Sequence, residues 1–283
     1  MTTESASLLP RSGGTHGTSR VLRRLFASFR RRRLRLLSLA SIVAFLVLWQ
    51  VVATYLVSPF FLSSPTTIAL ALVELAHDGT LQSDAYSSLT RILAGWIIGS
   101  AVAVPIGLAV GASGIVKAAI DPFIHFFRFI PSIALITLFI VWFGVGEESK
   151  VGLIIYATGF IVMVNTSTGV VAIPEDKLNA ARCLGASEWQ VFLHVVVPAT
   201  VPYIFTGMRL AMASSYLVIV GAEIIAANSG LGYLVWVSRL YFHIDWMFAG
   251  VIAIGAFGFI TDRLWRLLGR TLLKRYTREA AQY

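Results

Sequence analysis

Charge is scarce in this chain and unevenly placed. Of 283 residues, 13% are Asp, Glu, Lys or Arg and 57% are hydrophobic, with a mean hydropathy of +0.78. Soluble domains carry about 25% charged residues, so the composition excludes an ordinary soluble domain and defines a membrane protein. One cysteine, Cys183, excludes an intramolecular disulfide, and a small packing role suits it better than a nucleophile or metal ligand. The histidines His16, His77, His125, His194 and His243 follow no metal-ligand spacing. The phosphate-cradling pattern G-x-x-x-x-G-K-S/T is absent, so the chain is expected not to hydrolyse ATP. No internal repeat is evident.

Most of the basic residues crowd the two ends, and the middle is largely apolar. Nine arginines precede Leu36, namely Arg11 and the eight of Arg20–Arg35, and six basic residues follow Thr261. This distribution, rather than nucleic-acid binding, accounts for the net charge of +9. Met1–Ser19, rich in Ser, Thr and Gly, reads as a disordered tail. In Arg20–Arg35, the apolar residues Val21, Leu22, Leu25, Phe26 and Phe29 recur at helical period, which predicts a basic amphipathic helix on an anionic leaflet. The apolar run Leu36–Val57 exceeds the roughly 7–15 residues of a signal-peptide core and is long enough to span.

Five further spans are predicted at 89–111, 122–143, 151–173, 199–226 and 247–268; that at 122–143, the third of the six, is broken by Pro131. Six crossings put both termini on one side. Ser58–Ser88 has three acids and no Lys or Arg, so the positive-inside rule makes both ends cytoplasmic and that loop external. The polar stretch 174–198 between spans four and five then falls in the cytoplasm. Segments 1–35 and 271–283 flank a membrane domain at 36–270.

Pro174–Pro198 reads as two short helices. Pro174 suits a helix start, and Glu175 and Asp176 complement its dipole. Gly185 suits a left-handed stop after Glu175–Leu184. Ser187 with Gln190 is a capping box for a second helix, expected to stop before Pro198. Leu178, Ala181 and Leu184 recur at helical spacing, with the small Ala180 beside them.

Asn179-Ala-Ala181, followed by Gly185, Ala186 and Val-Val-Val-Pro198, resembles the cytoplasmic "EAA" loop of ABC importer permeases, with Asn179 in place of the usual Glu. Ser58-Pro-Phe-Phe-Leu62, Leu89-Thr-Arg-Ile92, Trp142-Phe-Gly-Val-Gly-Glu147, Gly207-Met-Arg209, Gly221-Ala-Glu223 and Gly230-Leu-Gly232 resemble the nitrate/sulfonate/taurine branch of that family. The resemblance implies an all-α polytopic protein of type I importer permease fold in a bacterial inner membrane. It implies a pathway for a small anion or zwitterion, driven by a separate ATPase. The implied partners are a second permease copy, two cytoplasmic ATPase subunits, an external solute-binding protein and the lipid bilayer. ATP and Mg would sit on the ATPase, with no cofactor or metal here. Glu175, Leu178, Asn179, Ala180, Ala181, Leu184, Gly185, Ala186 and Pro198 are the implied coupling residues, with Leu178, Ala181 and Leu184 facing the ATPase. An ion-gradient-driven carrier and a non-transporting membrane assembly protein are the rival readings; the former more often shows internal repeats.

Polar residues at membrane depth are the pathway candidates: Asn165 and Thr166 in span four, and Arg209, Ser214, Ser215 and Glu223 in span five. Each has a structural alternative. Small polar residues also pack helices, and Arg209 is as well explained by a bond to backbone or to a carboxylate such as Asp262. Ser132 and Thr137 are weaker candidates. Arg91 and Arg128 lie near span ends, where a long side chain reaches the interface. The aromatics Trp49, Tyr55, Trp96, Trp142, Trp236, Tyr241 and Trp246 read as interfacial belts. Glu147 and Glu148 read as part of a solvated external loop, and Asn228–Trp246 as a short re-entrant or surface helix.

Overall fold

The computed structural model describes residues 16–273; the basic tail beyond Leu273 and most of the predicted disordered N-terminus lie outside them. Every regular element among the described residues is helical. Helix α1, His16–Val51, continues through a wide turn at Val52–Leu56, so the arginine-rich segment and the first apolar run share one rod. Residues 16–19, grouped with the disordered tail by composition, are helical and belong to this rod. Residues 1–58 form one unit and 59–283 a second.

The second unit is organised around glycines. Helix α3, Thr80–Ala112, and α6, Glu147–Val171, run in parallel at a constant offset. Gly95, Gly99, Gly107 and Gly111 of α3 lie against Ile154, Thr158, Thr166 and Val170 of α6. A Cβ at Gly95 would sit 2.6 Å from Ile154 Cβ, and one at Gly107 would sit 2.7 Å from the Met163 carbonyl oxygen. Small residues four apart let backbones approach closely in lipid, where apolar burial between helices supplies little drive.

Helix α9, Val197–Ala226, packs antiparallel on α6, with Gly207 against Asn165 and Gly169 against Tyr203. Between these three helices lies the core, built from residues such as Ile92, Trp96, Ile154, Val162, Met212 and Ile219. Trp96 belongs to this core and not to an interfacial belt: its Nε1 donates to the Met208 carbonyl at 2.8 Å, and its ring meets Trp265 edge-on at 4.9 Å. A buried indole needs such an acceptor.

Among the described residues, five helices are long and apolar enough to cross a membrane, or six when a bent pair counts as one. That pair is the predicted third span. It is α4, Gly114–Phe127, and α5, Ile136–Phe143, bent by 85° and joined by a short 3₁₀ turn at Ser132–Leu135. Pro131 has extended backbone, ψ 125°, and its ring cannot continue the α4 hydrogen bonding. The break expected at Pro131 is thus present, and the span begins at Gly114, ahead of residue 122.

Other bounds shift too. Helix α3 begins at Thr80, ahead of Leu89, because Asp84, Ala85 and Ser88 are buried against later elements. The loop 58–88 contains an unpredicted helix, α2, Pro65–His77. Ser64 caps it, accepting from Thr67 N–H, and Ile68, Ala71 and Leu75 are buried on one face.

Helix α7, Glu175–Cys183, follows α6. Next comes α8, Glu188–Val191, which runs through a wide turn at Phe192–Val196 into α9 without a stop before Pro198. Val197 N–H donates to Phe192 O, five residues back. That loosened ring relieves the clash Pro198 would make with the carbonyl four residues behind it, and its missing N–H falls in the first turn of α9. Helix α10, Leu231–Leu240, is the short element expected in Asn228–Trp246, and α11, Ile244–Leu272, is the last span.

Candidate functional site

The loop between α6 and α9 is built to hold its own shape. Pro174 occupies the N-cap of α7, one position earlier than expected, and Glu175 and Asp176 fill the first turn. Gly185 has φ 84°, which a Cβ would strain. The Ser187–Gln190 capping box is complete: Gln190 N–H donates to Ser187 Oγ, and Ser187 N–H donates to Gln190 Oε1 at 2.8 Å. Arg182 clamps the two helices together, donating to both Glu188 carboxylate oxygens at 2.8 and 3.1 Å and to Asn179 Oδ1 at 3.3 Å. The hydrogen bond to Glu188 raises the Arg182 pKa above its ordinary value.

The face this loop presents differs from the expected one. Leu178 is half-buried and packs on its own chain beside Ile173, Val196 and Phe192. It anchors α7 to the spans and leaves only part of its surface open. Leu184, in contrast, is 89% exposed and Trp189 66% exposed. Cys183 is exposed, which corrects its reading as a packing residue. The outward surface is therefore Leu184, Gly185 and Trp189, with Asn179, Ala180 and Glu175 around them.

Two clefts lie along α4 and α6. The larger, about 560 Å³, opens beside the break in the third span and is lined by Arg128, Ser132, Tyr156, Asn165 and Ser214, with apolar neighbours. Asn165 and Ser214, separate in sequence, are thus brought together, as is the weaker candidate Ser132. Tyr156 Oη donates to the Phe127 carbonyl at 2.6 Å, satisfying one acceptor at the end of α4. The smaller cleft, about 220 Å³, is lined by Lys117, Asp121 and His125 of α4 and by Ser167 and Thr168 of α6. Val164 borders both.

The other candidates lie elsewhere. Thr166 and Ser215 are fully buried; Ser215 Oγ donates to the Ala211 carbonyl, while the Thr166 hydroxyl has no partner among the described residues. Arg209 Nε donates to Asp262 Oδ1 at 2.6 Å, the carboxylate named from the sequence, and Arg266 donates to the other oxygen.

Glu223 is fully buried at the far end of α9, in a cluster the sequence did not reveal. It accepts from Arg91 Nη1 at 2.8 Å, Ser88 Oγ at 2.8 Å and Gly232 N–H at 2.9 Å. Asp84 accepts from Gly230 N–H, and Ser88 Oγ from Leu231 N–H, both at 2.8 Å. The start of α10 is thus capped by side chains from α3 and α9, satisfying three N–H groups that lack helical acceptors. Arg91 is buried and bidentate to Glu147, at 2.5 and 2.8 Å, and Lys150 joins the same carboxylate. Arg91 therefore does not reach outward, and Glu147 is not a loop residue but the ion-paired start of α6. The one sequence signal was that Arg91, Glu147 and Glu223 each sit inside a quoted motif.

A bundle of apolar helices with a broken third span and a capped polar loop ahead of α9 has the architecture of a type I ABC importer permease. The MetNI methionine ABC transporter, solved in inward-facing conformations, superimposes with a TM-score of 0.61 at 15% identity, covering 69% of this chain and 97% of that one.

Residues 101–274 match the family model for the binding-protein-dependent transport system inner membrane component, and the chain belongs to that family. It is similar to a probable ABC transporter permease protein of Brucella melitensis, 38% identical over 211 residues, 75% of this chain and 86% of the relative. It is also similar to the taurine transport system permease protein of Escherichia coli, 34% identical over 242 residues covering 83% and 88%. The bicarbonate transport system permease protein of Synechococcus elongatus is 33% identical over 249 residues covering 84% and 90%. The chain is a multi-pass inner-membrane permease subunit of an ABC importer, in a family of non-catalytic subunits that work with an ATPase and a solute-binding protein.

Proposed function

We propose that two copies of this chain form the pathway for a small anion or zwitterion of the nitrate, sulfonate or taurine class. Two ATPase subunits dock on residues 174–198 from the cytoplasm, where both termini also lie, and a binding protein delivers the solute from outside. ATP on the ATPase biases the helices between inward-open and outward-open packings. Relatives for taurine and bicarbonate support an anionic solute, since both carry compact oxyanion groups.

The observation that carries the coupling is the exposed apex at Leu184. A large aliphatic side chain left 89% exposed at the tip of a clamped, capped polar loop is a surface held for another protein. Leu184→Glu tests it, because the side chain touches little of its own chain. The variant is expected to insert normally and to lose co-purification with the ATPase. Undiminished co-purification would sink the assignment.

A further inference from the structure

We propose that Arg128, Ser132, Asn165 and Ser214 form a binding site for the oxyanion group of the transported solute at the break in the third span. The polar face of α4 is the solute's onward track. The proposal rests on the permease reading and names the site within it.

The break itself calls for protein cover or a water-filled cavity. Irregular backbone at membrane depth persists only where protein covers it or where it borders water. Here it borders a cleft of about 560 Å³, within the roughly 300–1,000 Å³ of small-molecule sites. Arg128 is fourteen residues past Gly114, about 21 Å along the helix axis at 1.5 Å per residue, far from the start of α4.

The cleft is lined by hydrogen-bond donors and by no carboxylate. Arg91, Arg182 and Arg209 each have a carboxylate partner. Arg128 has none among the described residues; its guanidinium rests 4.9 Å over the Phe129 ring and lines the cleft. An unneutralised cation at that depth is costly unless something pairs with it, and the planar guanidinium fork matches the oxygens of nitrate, sulfonate or bicarbonate. Around it stand neutral donors. Asn165 Nδ2 donates one hydrogen to the Ile161 carbonyl at 2.8 Å and keeps a second. The Ser132 and Ser214 hydroxyls make no hydrogen bond to described residues.

Below the cleft the polar character continues. Lys117, Asp121, His125 and Arg128 recur at helical spacing along one face of α4. The first three face Ser167 and Thr168 across the smaller cleft, which shares Val164 with the larger. Asp121 is 3.5 Å from His125. The single acid is thus flanked by basic groups, and the track presents no run of negative charge to an anion.

Charge-selective thiol labelling tests this without knowing the solute. The full chain is assembled with its ATPase in membrane vesicles, and Cys183→Ser removes the one native thiol. Ser214→Cys or Asn165→Cys then reports on the cleft, probed by two methanethiosulfonates of opposite charge, sulfonatoethyl and trimethylammonioethyl. Both positions should label, with the anionic reagent favoured about tenfold after correction for a free thiol, as a charged cleft focuses counter-ions. Adding Arg128→Gln should bring that ratio near one, whereas Arg128→Lys should keep most of it. Thr166→Cys and Ser215→Cys, at buried positions, should stay unlabelled.

No labelling at 165 and 214, or a preference that survives Arg128→Gln, overturns the proposal. Should Arg128→Gln fail to insert, Ser132→Asp with Arg128 intact must lower the anionic preference instead; no change there overturns it equally. ATPase co-purification reports on the permease reading separately, so the two can fail independently.

Discussion

Arg91 of α3 and Glu223 of α9 form a 2.8 Å ion pair across 132 positions of sequence, with Arg91 6% and Glu223 0% exposed. The pair ties the first half of α3, the end of α9 and the start of α10 together and, through Glu147, the start of α6. Removing one member of a buried pair strands the other charge, at a cost of about 3–5 kcal/mol. Glu223→Ala and Arg91→Ala are therefore each expected to lower thermal stability in detergent sharply. The double variant should lose much less than the sum of the two, as a double-mutant cycle by melting would read. Additive losses would mean the two side chains do not interact.

Gly107 is one of the glycines at which α3 and α6 approach closely. Gly107→Val would drive its side chain into the Met163 carbonyl and Thr166. Overpacking of this kind costs about 1–3 kcal/mol. Folded yield after membrane extraction should fall, whereas Gly159→Val, with open space at its Cβ position, should be tolerated. Equal yields for both would contradict the packing.

Gly185→Arg meets no neighbouring atom, yet φ 84° resists any Cβ and the new side chain covers the apex. A strain of about 1 kcal/mol is expected, too little to unfold the spans. ATPase co-purification should be lost while membrane insertion is kept; retained co-purification with normal ATPase stimulation would refute this.

Arg209 and Asp262 are 2.6 Å apart but 40% and 27% exposed, and exposed pairs contribute about 0–1 kcal/mol. Arg209→Gln is expected to leave assembly and basal ATPase activity near wild type, with solute uptake also little changed. A selective loss of uptake in reconstituted vesicles would give Arg209 a role in the pathway.

Local chemistry made much of this chain readable. Ser187 and Gln190 announce a capping box because both halves of that motif lie within one turn, and it forms as read. Pro131 announces a break because proline removes a donor wherever it stands, although the 85° bend it accompanies cannot be read from it. The buried position of Arg91 is not legible in the sequence because its partners, Glu147 and Glu223, lie 56 and 132 residues away. Helical period groups Leu178 with Leu184 but does not say which side meets the spans, and it is Leu178 that packs there.

The amino-acid order by itself determined the membrane-spanning character, most of the crossings, the caps of the polar loop and the absence of a phosphate-binding pattern. These depend on run length, spacing and backbone rules that act within a few residues. Only the tertiary structure decided that Asn165, Ser214 and Arg128 share a cleft, that Thr166 and Ser215 are sealed from it, and that Glu223 is held in a buried ion cluster. Each of those depends on how closely helices approach, and the α3–α6 glycines set that distance only once the partner helix is in place.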